Sequence, residues 1–289
     1  MFTLTLAAAL AAPPDAPSHE AANPLYKSLL ETGLAVGPKD RAKLPAPTLP
    51  DGLDAAKQKE AITALIKDDY KYDDFARNST VAPQLIKLPA VAGGAPNAPA
   101  RGVDVWFIVY GDVKALDDDK FLDRVMNSGR GSGQAKPLTA ADLTKRKIDA
   151  PDAKKEGFGH LEFDFLEKVH IKATGRAAWS RTPESVVVAG EIDPRFQGDA
   201  DFPNQWQSIV KEGGTTKLGP ASPWAGAAFY LKVTKLAEPA GALFCEQHVV
   251  FVEPQGWFGG ENLLRSKLPA ALQINVRNMR KEWAKAGRP

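Results

Sequence analysis

Four histidines, a crowded acidic segment, a glycine-rich turn and a lone cysteine are the residues of this 289-residue chain whose types and spacing could do chemistry. His19, His160, His170 and His248 show no metal-ligand spacing such as an HExxH pair on one helix face. His160 and His170 flank one expected hairpin, where they could approach each other with Glu162 nearby, although half-exposed sheet positions give the same pattern. His248 shares a strand with Glu246 and could point into a cavity; with Glu246 or Tyr230 it is where an enzymatic role would be sought. Glu191, Asp193, Asp199 and Asp201 offer hard oxygen ligands without the spacing or glycine of an EF-hand, so they read as a solvated loop and no metal is expected. Gly129-Arg-Gly-Ser-Gly133 has the composition of a phosphate cradle, but no Lys-Ser/Thr follows and no strand immediately precedes it, so it reads as a helix stop. No G-x-S-x-G elbow is present. Cys245, the only cysteine, excludes an intramolecular disulfide and a cysteine-based metal cluster, and reads as a small core residue. No cofactor is implied.

Those residues need elements to hold them, and the clearest is terminal. Leu264, Leu268, Leu272, Val276, Met279 and Trp283 recur at steps of four and three, one face of a helix over about residues 266–286. Ser266 would cap it and Pro269 would fall in the third helical position, where its missing N–H costs nothing. Arg277, Arg280, Lys281 and Lys285 are assigned off the apolar stripe, toward the C-terminus, where cations complement the helix dipole. Val103 to Tyr110 is a β-branched and aromatic run broken only by Asp104, the pattern of a strand buried on most of both faces. From Gly159 onward the period is two, with strands expected to about Trp179, over 185–192, 227–236 and 243–252. Residues 193–217 read as a long loop.

Ahead of this, Phe2 to Ala12 form an apolar run followed by prolines. Residues 1–22, His19 among them, therefore read as a signal peptide and leader, and the protein as secreted or periplasmic. Residues 23–99 read as a helical and extended region, with helices opened by Asn23-Pro24 and Asp54, prolines at 45, 47 and 50, and at most an edge strand in 80–91. Residues 100–289 form the sheet domain. A formal charge of +2 with no basic run among aromatics excludes a nucleic-acid partner, and no other apolar run reaches transmembrane length.

The order strand, helices, antiparallel strands, long helix, together with the run Leu263-Leu264-Arg-Ser-Lys-Leu-Pro-Ala-Ala-Leu-Gln-Ile-Asn-Val276, resembles the helix-grip arrangement of the START-like (SRPBCC) superfamily over about two-thirds of the chain. The resemblance implies an α+β fold in which a curved antiparallel sheet of seven strands or fewer wraps the C-terminal helix around an apolar cavity. Aromatic strand residues would line or fill it, and Trp106, Phe163, Phe165, Tyr230, His248, Leu272 and Val276 are the candidate ligand contacts. The function expected is binding or carriage of a hydrophobic small molecule or lipid. An enzyme with a polar cluster in the same cavity and a structural or interaction protein with a filled core are the alternatives.

Overall fold

Val103 to Tyr110 form the second half of a thirteen-residue strand, β5 (Ala98–Tyr110), in which only Asp104 and Tyr110 of those eight residues keep partial exposure. This computed structural model describes residues 17–95, 97–118, 120, 121, 124, 125, 133–153, 155–258 and 262–286. Around β5 the chain is α+β. The N-terminal part contributes α1 (His19–Ala22), α2 (Pro24–Glu31), the short pair β1 (Leu34–Ala35) and β2 (Arg41–Ala42), α3 (Ala55–Ile66), α4 (Tyr72–Phe75), β3 (Leu85–Lys87) and β4 (Ala90–Ala95). After β5 come β6 (Gln134–Pro137), α5 (Ala140–Thr144), β7 (Glu156–Phe165), β8 (Val169–Arg181), β9 (Ser185–Ile192), β10 (Gln205–Glu212), β11 (Thr215–Leu218), β12 (Ser222–Pro223), β13 (Ala227–Lys235), β14 (Ala242–Val252) and α6 (Leu263–Ala286).

Among the described residues the main sheet has twelve strands, every pairing antiparallel, with the order β6-β7-β8-β9-β13-β14-β5 along its main run. β3 and β4 share the free edge of β5, and β10, carrying β11 and β12, lies beside the part of β8 that β9 leaves uncovered. Seven strands or fewer was therefore an undercount. The additional ones are short or proline-bearing, and β10 and β11 fall in the segment read as loop because their outward residues are polar and weakly periodic.

Alternation along the strands gives the sheet two different faces. Val103, Val105, Phe107 and Val109 of β5, Leu231 and Val233 of β13, and Leu243 and Cys245 of β14 pack against Leu264, Leu268, Val276 and Trp283 of α6. Even-numbered residues of the same strands, with odd-numbered ones of β9 beside them, face the N-terminal region, where Tyr26, Leu29 and Leu44 meet Val187, Ala189, Ala228 and Val250, and Leu49, Ile62 and Phe75 meet Trp106, Ile108 and Phe244. β3 and β4 belong to the sheet itself.

Local signals mostly hold. Asn23 accepts from Tyr26 N with Pro24 first in α2, Asp54 caps α3, and Thr139 with Asp142 makes a complete capping box on α5. Asp112 caps a 3-10 turn over Val113–Asp117, and Phe121 and Val125 are buried; Gly129 and Gly131 of the expected helix stop lie outside the described residues. Two readings of α6 need correction. It begins at Leu263, which puts Ser266 and Pro269 inside it, so the ladder lacks one rung to the Arg265 carbonyl. Arg280 is buried at 4% exposure, because it stands four residues after Val276 and hence on the same face.

Trp283 locks the far end of α6, fully buried with Phe121 edge-on at 4.9 Å between ring centroids. Its ring lies where a Cβ on Gly111 would stand, 2.6 Å from Cε3, so only glycine fits there. Trp283→Ala is expected to cost about 3 to 5 kcal/mol in denaturant unfolding, against no more than about 0.5 kcal/mol for Ile274→Ala on the exposed side.

Candidate functional site

The N-terminal end of α6 does not close onto the sheet. Between it, the start of β5 and the segment after β14 lies a cleft of about 1000 Å³, walled by Val103, Phe251, Trp257, Phe258, Leu264 and Leu268 and by Leu88, Pro89 and Val91 on the edge-strand side. Its apolar wall continues into the core under α6: Phe251 and Trp257 stack at 6.0 Å and 16°, and Phe165 stands behind Trp257 at 5.6 Å. Trp224 is anchored by its Nε1–H to the Val252 carbonyl at 2.9 Å. The rim is polar, with Asn97, Gln255, Asn262 and Arg265 and an Arg101–Glu253 ion pair at 2.5 Å. An apolar interior under a polar, net positive rim suits a molecule with an apolar body.

The structure divides the residues singled out from the sequence. Phe163, Phe165, Leu272 and Val276 lie on the α6 side, packed in or against the core that continues from the cleft. Trp106, Tyr230 and His248 lie on the opposite face of the sheet and contact the N-terminal region instead. The pleat explains this, since Trp106 sits between Val105 and Phe107, and Tyr230 and His248 are direct cross-strand partners, so all three share the parity that α6 does not see. The acids of 191–201 are each tied to an arginine: Arg176 to Glu191, Arg195 to Asp193, and Arg146 to Asp199 and Asp201. His160 and His170 do not pair. His160 bonds Thr174 Oγ1 at 2.7 Å, while His170 reaches Asp164 and Glu162 at 2.8 and 3.1 Å.

His248 instead joins a buried polar network beneath a strap of chain at 45–52. Its Nδ1–H donates to Asp104 at 2.7 Å, with Glu246 3.6 Å from Nε2. Glu246 accepts from Thr48 N at 2.6 Å, Trp106 Nε1–H donates to Thr48 Oγ1, and Tyr230 OH donates to the Pro45 carbonyl. Farther along, Lys232 Nζ donates to the Leu49 carbonyl at 2.7 Å and pairs with Asp51 at 2.9 Å. Ser185 and Thr182 also donate to Asp51. Because the Ser185 proton goes to Asp51, its oxygen accepts from His19 Nε2–H at 2.7 Å, and Ser180 donates to His19 Nδ1. His19, counted with the leader from its sequence position, is thus a buried member of the fold. Little in the sequence marked this network beyond polar residues at even positions of strands whose odd positions are apolar.

Burial brings His19 down to about 4 against the pull of Asp51, and leaves it neutral. Burial also opposes the charged form of Asp51, but hydrogen bonds from Thr182, Lys232 and Ser185 outweigh it and hold the carboxyl below its ordinary value. His248 goes the other way: burial disfavours the charged ring, yet Asp104 and Glu246 together raise it. In the unfolded chain His19 titrates near 6.5, so between pH 6.5 and about 4 the unfolded state binds the extra proton and stability falls with pH. Asp51 adds a loss below its unfolded value near 3.8, while the His248 contribution is full at low pH and fades as pH rises through its raised value. Denaturant unfolding from pH 4 to 8 should show the acid slope, and His19→Gln should remove on the order of 1 to 3 kcal/mol of it.

No family model and no curated protein matches this sequence. Among solved structures the chain is similar to the human StarD13 (DLC2) lipid transfer and protein localization domain, at 9% identity and a TM-score of 0.40, covering 80% of this chain and 98% of that one. It is similar to human STARD10 at 8% identity and a TM-score of 0.38, covering 86% of each chain. Protein Ms6760 from Mycobacterium smegmatis aligns at 10% identity and a TM-score of 0.31, over 62% of this chain and 88% of that one.

Proposed function

We propose that this protein is a START-like, helix-grip binder or carrier of a hydrophobic small molecule or lipid, taken up in the cleft at the N-terminal end of α6. The observation that carries the reading is the cleft of about 1000 Å³, whose wall of Phe251, Trp257, Phe258, Leu264 and Leu268 runs on into the apolar core under the helix. Burying an acyl chain or ring system there gains about 25 cal/mol for each Å² of apolar surface removed from water. The polar cluster that an enzyme reading would use, His248 with Glu246 and Tyr230, sits on the other face beneath the strap and does not line this cleft. The apolar run Phe2 to Ala12 supports placing this binding outside the cytosol, which a reporter fused after residue 22 would read by its compartment.

Native mass spectrometry of the purified chain should reveal a co-purifying apolar ligand. A fluorescent fatty-acyl probe should bind the emptied protein saturably. Leu88→Asp, which puts a charge in the cleft wall at a half-buried edge position, should weaken the probe at least about tenfold with a small change in unfolding midpoint. Equal probe binding by both proteins would place the ligand elsewhere and remove this reading.

A further inference from the structure

The opposite end of α6 holds a buried cation that has no counterion among the described residues. Arg280 is 4% exposed, and its Nε, Nη1 and Nη2 donate to the carbonyls of Ile108, Ala82 and Pro83 at 2.9, 2.5 and 2.8 Å. β3 stops pairing with β5 at Trp106, so the guanidinium takes over the edge of β5 beyond that point and ties it to the chain entering β3. All three partners are neutral. Among the described residues Arg280 has no ion pair, and Arg277, one turn earlier, adds further positive charge. Burial pushes the guanidinium down to about 10, as an uncompensated charge requires. Buried arginines are ordinarily paired with an anion. Arginine carries five N–H donors, so one on each terminal nitrogen is left over.

Beside the guanidinium lies a pocket of about 330 Å³ lined by Asn78, Ser79, Thr80, Tyr110 and Trp283, with no acidic residue in its wall. Tyr110 OH is committed to the Ala76 carbonyl, whereas Ser79 Oγ accepts from Val81 N and keeps its proton to donate. The pocket thus combines a desolvated guanidinium with hydroxyl and amide donors. We propose that it binds a small free oxyanion, a carboxylate or phosphate, held by Arg280 and by the hydroxyls of Ser79 and Thr80. The site stands near the C-terminal end of α6, where the helix dipole disfavours an anion, so recognition rests on the guanidinium and the hydroxyls alone. Sixteen residues of helix separate it from Leu264 at the cleft, roughly 24 Å at the usual rise per residue, and the proposal does not depend on what the cleft binds.

Thermal unfolding of the full chain in sodium phosphate, sodium acetate and sodium chloride at matched ionic strength tests this. Phosphate or acetate should raise the midpoint saturably where chloride does not, and whichever acts more strongly names the anion. Ser79→Ala and Thr80→Val, both at half-exposed positions, should weaken that anion several-fold while leaving the midpoint in chloride nearly unchanged. Arg280→Lys, which keeps the charge and loses the fork, should lose most of the response, and fatty-acyl probe binding at the cleft should be the same in Ser79→Ala as in the parent. No midpoint difference among the three salts would overturn the proposal. So would a response that survives intact in both hydroxyl variants.

Discussion

β14 has to be covered twice. Leu243 and Cys245 need an apolar partner on one side, and Phe244, Glu246, His248 and Val250 need a different one on the other, since neighbouring residues of a strand cannot share a face. α6 supplies the first covering and the chain before residue 80 supplies the second. The sheet is therefore the middle layer of three, and neither covering is dispensable. Cys245 shows the consequence: it lies in the α6-side core, where burial pushes its thiol up and leaves it unreactive.

The two coverings work by different chemistry. Under α6 the contacts are apolar except for Arg280, and apolar packing tolerates small shifts. Under the strap they are directional and charged, with Glu246 at 0% and Lys232 at 2% exposure reaching Thr48 N and the Leu49 carbonyl. A buried charge left without its partner is costly, so strap and sheet specify each other's position more strictly than helix and sheet do. The cleft lies on the side built from adaptable contacts, and the directional lock is on the side away from it.

This division limits what a sequence reading can recover. The α6 stripe and the largely apolar second half of β5 were legible because each is a continuous pattern, and the caps at Asn23 and Asp54 because each is a local bond. The strap network was not, since Thr48, Asp51, Lys232 and His19 lie far apart in sequence and none is unusual where it stands. Trp106, Tyr230 and His248 stand on the face away from α6 for reasons of parity alone. Once Leu231 and Val233 are placed facing the helix, Tyr230 must face away, and the register of β14 and β5 sends His248 and Trp106 with it. Arg280 was misread by chemical type, although the four-residue step from Val276 already placed it inward.

Side-chain size along α6 accounts for which end is open. Toward its C-terminus the helix presents Trp283, met by Phe121 and by the bare backbone of Gly111, and the pocket beside them is about 330 Å³, a third of the cleft at the other end. Toward its N-terminus it presents leucines, and the cleft opens between Leu264 and Leu268 and the edge formed by Leu88, Pro89 and Val91. Large residues hold the helix against β5 at one end, and at the other the helix stands off the sheet edge. A helix seated by a tryptophan and a buried guanidinium at one end is held most firmly there, while its first turns, where Pro269 has removed a rung of the ladder, border the cleft.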